Sequence, residues 1–103
     1  MAQVEIANTT VDVTDEGYLT DPSQWNKDIG QAIADEIGIE LTDKHMEVIM
    51  FLREKHEQGE ALTIRKVGKS GIVDIKGLYK LFPGGPLKYS SKIAGIPIPV
   101  SCV

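Results

Sequence analysis

Cysteine is the first scarcity in this 103-residue chain: there is one, Cys102. A lone thiol cannot close an internal disulfide, so the fold must rest on packing, and a reducing, cytoplasmic location is the expectation. Histidine is almost as rare. His45 and His56 share a helix face, but eleven residues of helical rise put them ~16 Å apart, too far to ligate one metal ion. No apolar run approaches the roughly 18 residues of a membrane span. The opening MAQVEIANTTVD also lacks the basic start and apolar stretch of a secretion signal. Gly84-Gly85 lacks the spacing and the following Lys-Ser/Thr of a phosphate loop. The carboxylates are scattered over exposed helix positions, so no acid pair stands out for hydrolytic chemistry. These absences point away from membrane, metal and nucleotide chemistry, and no cofactor is implied.

Acidic residues are nearly missing from the second half. Residues 61–103 hold Asp74 alone against seven bases (Arg65, Lys66, Lys69, Lys76, Lys80, Lys88 and Lys92), whereas residues 1–60 hold fourteen acids against four bases. The net charge of −4 therefore hides a basic half that ends in the cysteine. Two readings follow: two solvated faces that attract each other within the fold, or an electropositive surface that steers an acidic partner.

What is present reads as a small, mainly α-helical domain. Val4-Glu5-Ile6 and Thr10-Val11-Asp12-Val13 alternate apolar with polar around Ala7-Asn8-Thr9, which predicts a hairpin with Asn8 at positive φ. Such a hairpin needs the helices to lie on. Asp21-Pro22 reads as cap and first turn of a helix whose Trp25, Ile29, Ala32, Ile33 and Ile37 share a stripe, closed by Gly38. Thr42-Asp43 opens a second helix through about Gln58. Its Met46, Val48, Ile49, Met50, Phe51 and Leu52 cover so much of the circumference that it should be central, with His45 a first-turn surface residue. Thr63 caps a short helix to about Lys69, and Asp74 caps another from Ile75 to Phe82, with Tyr79 and Phe82 read as core. Phe82-Pro83-Gly84-Gly85-Pro86 then breaks into a last helix from Leu87 to Ala94. From Gly95 on, Pro97 and Pro99 forbid helix and predict an extended arm. The layout is one domain: a hairpin region at 1–20, a helical body at 21–94 and a cysteine-bearing arm at 95–103. Its fold class is a small orthogonal helical bundle with an N-terminal hairpin, a helix-turn-helix-like segment and an extended arm.

Thr63–Phe82, with its five bases, raises the question of DNA binding. The second helix of that pair offers no Asn, Gln or Arg to base edges, and the total charge is negative, so direct nucleic-acid binding is disfavoured.

Cys102 is the residue best placed for chemistry. A cysteine inside a core is usually a small hydrophobe. This one lies one residue from the end of the sequence, on a proline-spaced arm, where a thiol can reach into another protein's active site. Lys88 and Lys92 would raise its thiolate fraction if they approach, although ordinary surface lysines are the commoner case, and the carboxylate of Val103 would act in the opposite direction.

Phe51-Leu52-Arg53-Glu54, Leu78-Tyr79-Lys80-Leu81-Phe82-Pro83 with Gly85-Pro86, and Lys92-Ile93-Ala94-Gly95-Ile96-Pro97 running to Pro99 and Cys102-Val103 resemble the DsrC/TusE family. Glu16-Gly17-Tyr18-Leu19 and Trp25 fit its N-terminal part. The resemblance implies a helical fold with a hairpin and a C-terminal arm, and sulfur handling at the position of Cys102. DsrC proper has a second cysteine eleven residues earlier, where this sequence has Ser91. A serine hydroxyl cannot form a sulfur bridge, so the chain resembles the single-cysteine TusE-like branch. The short segment 61–75 points the same way. That branch implies an upstream persulfide donor of the TusBCD/DsrEFH-like kind and a downstream tRNA-thiolating enzyme. The other branch would make the acceptor a dissimilatory sulfite reductase, or the chain a regulatory homologue of its gamma subunit.

Overall fold

A computed structural model describes residues 2–60 and 62–97. Strands β1 (Ala2–Ile6) and β2 (Thr9–Val13) pair antiparallel with Val4 opposite Val11. Their two-residue loop puts both Ala7 (φ 51°) and Asn8 (φ 64°) in the left-handed region, the geometry that matches strand twist in a tight hairpin. β2 faces inward through Val11 and Val13, while β1 is mostly exposed. β2 thus supplies the hairpin's buried side chains, while β1 lies beside α1 and adds Ile6 to the edge of the core. A bridge from Val13 to Leu19 carries the chain back along that edge.

The Asp21-Pro22 start forms, but what it starts is shorter than the sequence suggests. Asp21 accepts from the Ser23 amide and caps a single 3-10 turn, Pro22–Gln24. Trp25 is extended, and Asn26 recaps the chain by accepting from the Ile29 amide, so α1 is Lys27–Ile37. Trp25 consequently leaves the helical stripe, which consists of Ile29, Gly30, Ile33 and Ala34. The rest of the capping reads as expected. Thr42 caps α2 (Asp43–Glu57), Thr63 caps α3 (Ile64–Gly68), and Asp74 caps α4 (Ile75–Leu81). Pro86 opens α5 (Pro86–Ala94), where its missing N–H costs nothing.

The central helix is α5 rather than α2. α5 packs against α1, α2 and α4, and Leu87, Ser90, Ser91, Ile93 and Ala94 are all buried. α2 buries only the face of His45, Val48, Ile49 and Leu52 and leaves Met50 47% exposed. Its apolar residues spread round the helix because Met46 and Phe51 flank that face, half-buried.

Two further expectations are corrected. His45 is buried rather than on the surface. Thr42 N–H donates to its Nδ1 at 3.1 Å, its Nε2 lies 2.8 Å from the Leu81 carbonyl, and its ring meets Phe82 edge-on. One neutral tautomer, protonated on Nε2, satisfies both contacts and ties α2 to the end of α4. Tyr79 is 49% exposed, because α4 turns Leu78 to the core and its next residue points away from it. Phe82 is fully buried, as its sequence position suggested.

Candidate functional site

Helix α5 ends at the point where the cysteine-bearing segment begins, and all of its last four carbonyls are capped. The Ile96 amide donates to the Ser91 carbonyl at 3.2 Å, and the Gly95 amide donates to that of Lys92 at 3.2 Å. These are the two hydrogen bonds of a Schellman C-cap, with Gly95 left-handed at φ 71°. The other two carbonyls are capped from far along the chain. Trp25 Nε1–H donates to Ile93 O at 2.7 Å, and Arg53 Nη1–H donates to Ala94 O at 2.7 Å. Arg53 also donates to Pro22 O at 3.0 Å, and its guanidinium carbon lies 4.3 Å from the Trp25 ring centroid. Burial pushes the guanidinium pKa below its ordinary value, while Glu57 opposes that shift.

The Trp25–Arg53 pair is a clamp on the root of the arm. The indole sits where a side chain at Gly95 would go: a Cβ there would come within 2.3 Å of Trp25 Cδ1. Gly30 on α1 makes room from the other side, since a Cβ there would meet Trp25 Cζ2 at 3.0 Å and Ile93 O at 3.2 Å. Gly95 and Ile96, assigned to the arm from sequence, are buried against the body. Pro97 is the first exposed residue of the segment.

Cys102 lies outside the described residues, as do Ile98, Pro99, Val100 and Val103. From Pro97 to Cys102 the chain spans at most about 17 Å. The sequence-predicted site residues on α5 are described. Lys88 and Lys92 stand one helical turn apart and line a pocket of about 450 Å³ together with Glu16, Tyr18, Tyr89 and Pro97. The lining is mainly apolar. Tyr18 is buried, and its hydroxyl donates to the Lys88 carbonyl at 2.9 Å. Among the described residues the ion pairs are Lys44–Glu47, Lys55–Glu60 and Lys66–Glu60, so neither α5 lysine has a carboxylate within bonding distance.

Ser91 sits on the inward side of α5, fully buried, and its Oγ has no hydrogen-bond partner among the described residues. Its neighbour Ser90 is buried as well, but its hydroxyl donates back to the Pro86 carbonyl. An unpaired buried hydroxyl costs stability, so the protein holds a small polar side chain where an apolar one or a thiol would be at least as comfortable.

The sequence reading missed the clamp. In the sequence, Trp25 has the spacing of a helix stripe and Arg53 is one residue of the Phe51-Leu52-Arg53-Glu54 motif. The available signal was the single tryptophan of the chain and a glycine directly after the last helix.

Known proteins resemble this chain along most of its length. The family described as DsrC like protein matches residues 5–103. This chain belongs to the DsrC-like family. Sulfurtransferase TusE of Salmonella paratyphi A is 43% identical over 96 residues, covering 85% of this chain and 88% of that protein. The NMR structure of Allochromatium vinosum DsrC superposes with a TM-score of 0.81 at 34% identity, covering 98% of this chain and 97% of the other. The oxidised gamma-subunit of dissimilatory sulfite reductase from Archaeoglobus fulgidus superposes equally well, with TM-score 0.81, 30% identity and coverage of 99% and 100%. The DsrC-like fold is therefore shared along essentially the whole chain.

Proposed function

We propose that this DsrC-like chain is a sulfur-relay protein that carries sulfur as a persulfide on Cys102. It acts only with partner proteins, taking sulfur from a donor of the TusBCD/DsrEFH-like kind and passing it to an acceptor enzyme that forms 2-thiouridine in tRNA. The Cys102 thiolate attacks the outer sulfur of the donor persulfide. The donor's S–S bond breaks, a new S–S bond forms on Cys102, and the donor cysteine leaves as a thiolate. One sulfur atom moves with no net oxidation or reduction, so the step needs no cofactor. In the second half the acceptor attacks the outer sulfur, and Cys102 returns to the thiolate. All of this takes place in the cytoplasm, where thiols stay reduced.

The observation that carries the reading is the pairing of one thiol with one serine. Cys102 is the only cysteine, and Ser91, eleven residues before it, is a buried hydroxyl. A chain with one thiol supports transfer through a persulfide and does not support a step that bridges sulfur between two thiols of its own. Relatives named Sulfurtransferase TusE agree with this choice. The clamp adds a physical reason. It fixes the direction in which the segment leaves α5, and the prolines at 97 and 99 lower the entropy lost when that segment enters a partner.

Mass spectrometry after incubation with a persulfide donor tests it. The expected product is the intact chain plus one sulfur atom, absent in Cys102→Ser. The second reading, a partner of dissimilatory sulfite reductase, draws on the likeness to the Archaeoglobus gamma-subunit. Tight binding to such a reductase, with no sulfur passed to a tRNA-thiolating enzyme, would favour it.

A further inference from the structure

We infer that the pocket between Lys88, Lys92 and Pro97 is the docking surface for the sulfur-donor protein, and that it takes a donor segment with an apolar or aromatic side chain flanked by carboxylates. This rests on the sulfur-relay reading. Because Cys102 lies within about 17 Å of Pro97, a donor whose persulfide meets the thiol must bring its reactive centre inside that radius. Its surface therefore overlies the body around the root of the arm.

Two hollows flank that root. One borders Ile96 and is lined by Pro22, Ser23, Arg53, His56 and Glu57. Its guanidinium is already committed to two carbonyls and to the Trp25 ring, and Glu57 supplies a carboxylate in the same lining. Its one guanidinium is held in place by these contacts, and Glu57 opposes its charge within the same lining. The other hollow, of about 450 Å³, ends at Pro97. Tyr18 and Tyr89 give it apolar surface, and the bond from Tyr18 to the Lys88 carbonyl fixes that tyrosine to α5. Its two lysines sit on the basic half of the chain, and only Glu16 opposes them within the lining. Lys92 reaches over the turn at Gly17, where a Cβ would lie 3.3 Å from its Nζ. It also borders a hollow lined by Glu5 and Glu36 but pairs with neither. An apolar pocket of this size suits an anchoring side chain, and two ammonium groups with no carboxylate partner among the described residues favour an acidic setting around that anchor.

The test measures binding of a TusBCD-like donor complex to the full chain by fluorescence anisotropy at low salt. The double variant Lys88→Glu/Lys92→Glu is compared with Lys69→Glu/Lys80→Glu, a charge-matched pair on α3–α4 away from the pocket. The pocket pair should lose about 10-fold or more in affinity and the control pair about 2-fold or less, with the pocket pair also losing most of the salt dependence. No binding by the unaltered protein, an unaffected pocket pair, or equal losses in both pairs would overturn the docking surface. Loading of Cys102 is read separately on the same samples. Intact binding without a persulfide on Cys102 would defeat the relay reading and leave the docking surface standing.

Discussion

Trp25 and Ile93 are 68 positions apart in the chain, yet the indole N–H of one donates to the carbonyl of the other at 2.7 Å. That bond places the tryptophan ring directly against Gly95, the residue where α5 hands over to the cysteine-bearing segment. A helix end is normally a place of fraying, because its last carbonyls lack partners. Here each is satisfied, two by the backbone turn and two by Trp25 and Arg53. The exit of the arm is therefore a rigid point on the molecule.

Gly95→Ala tests how tightly that point is built. The alanine would have to hold φ 71° and place its Cβ 2.3 Å from Trp25 Cδ1. Urea unfolding should show a loss of about 2–4 kcal/mol, combining backbone strain with overpacking. A loss below about 0.5 kcal/mol would mean that the indole moves aside at little cost.

Arg53→Met keeps most of the side-chain bulk and removes the donors. The Ala94 and Pro22 carbonyls lose their partners, at an expected cost of about 1–3 kcal/mol. Amide hydrogen exchange should quicken at Gly95 and Ile96, whose N–H groups close the C-cap of α5. Unchanged exchange there would show that the clamp does not hold the root.

Ser91→Ala should be harmless or stabilising, by up to about 1 kcal/mol in the same unfolding assay, because it removes a buried hydroxyl with no partner among the described residues. A clear loss would mean that the hydroxyl contributes in a way the structure does not show.

Asp21 provides a pH test with a defined sign. Hydrogen bonds from the Ser23 hydroxyl and then its amide hold the Asp21 carboxyl below its ordinary pKa. The folded state thus binds its proton less readily than the unfolded state. The associated stability is present above the ordinary carboxylate pKa and is lost as pH falls through the lowered one. In Asp21→Asn, stability measured from pH 6 downward should fall less steeply than in the unaltered protein.

Much of the fold was legible because its signals are local. Thr63 and Asp74 cap helices by bonding amides three residues on, and Asn8 marks a tight turn, so a reader of the chain sees cap and turn directly. Residues whose place the sequence does not reveal take their roles from distant partners. His45 looks like a first-turn surface residue until the Leu81 carbonyl, 36 positions away, meets its ring. Trp25 has helical spacing, yet its best partner lies on α5. Tyr79 has apolar character but sits on a helix too short to bury more than Leu78. At the candidate site the thiol was visible as the only cysteine, and Lys88 and Lys92 were visible as a pair one turn apart. The pocket that joins those lysines to Tyr18 and Pro97 was not, since it needs the turn after β2 to fold back on α5.

The central claim is that Cys102 alone carries sulfur. Its most direct measurement is intact-protein mass spectrometry, with peptide mapping, after exposure to a TusBCD-like donor complex in its persulfide form. The expected result is a single added sulfur atom on the peptide containing Cys102, removed by a thiol reductant, and no adduct in Cys102→Ser. An unmodified Cys102 beside a donor that still holds its persulfide would contradict it.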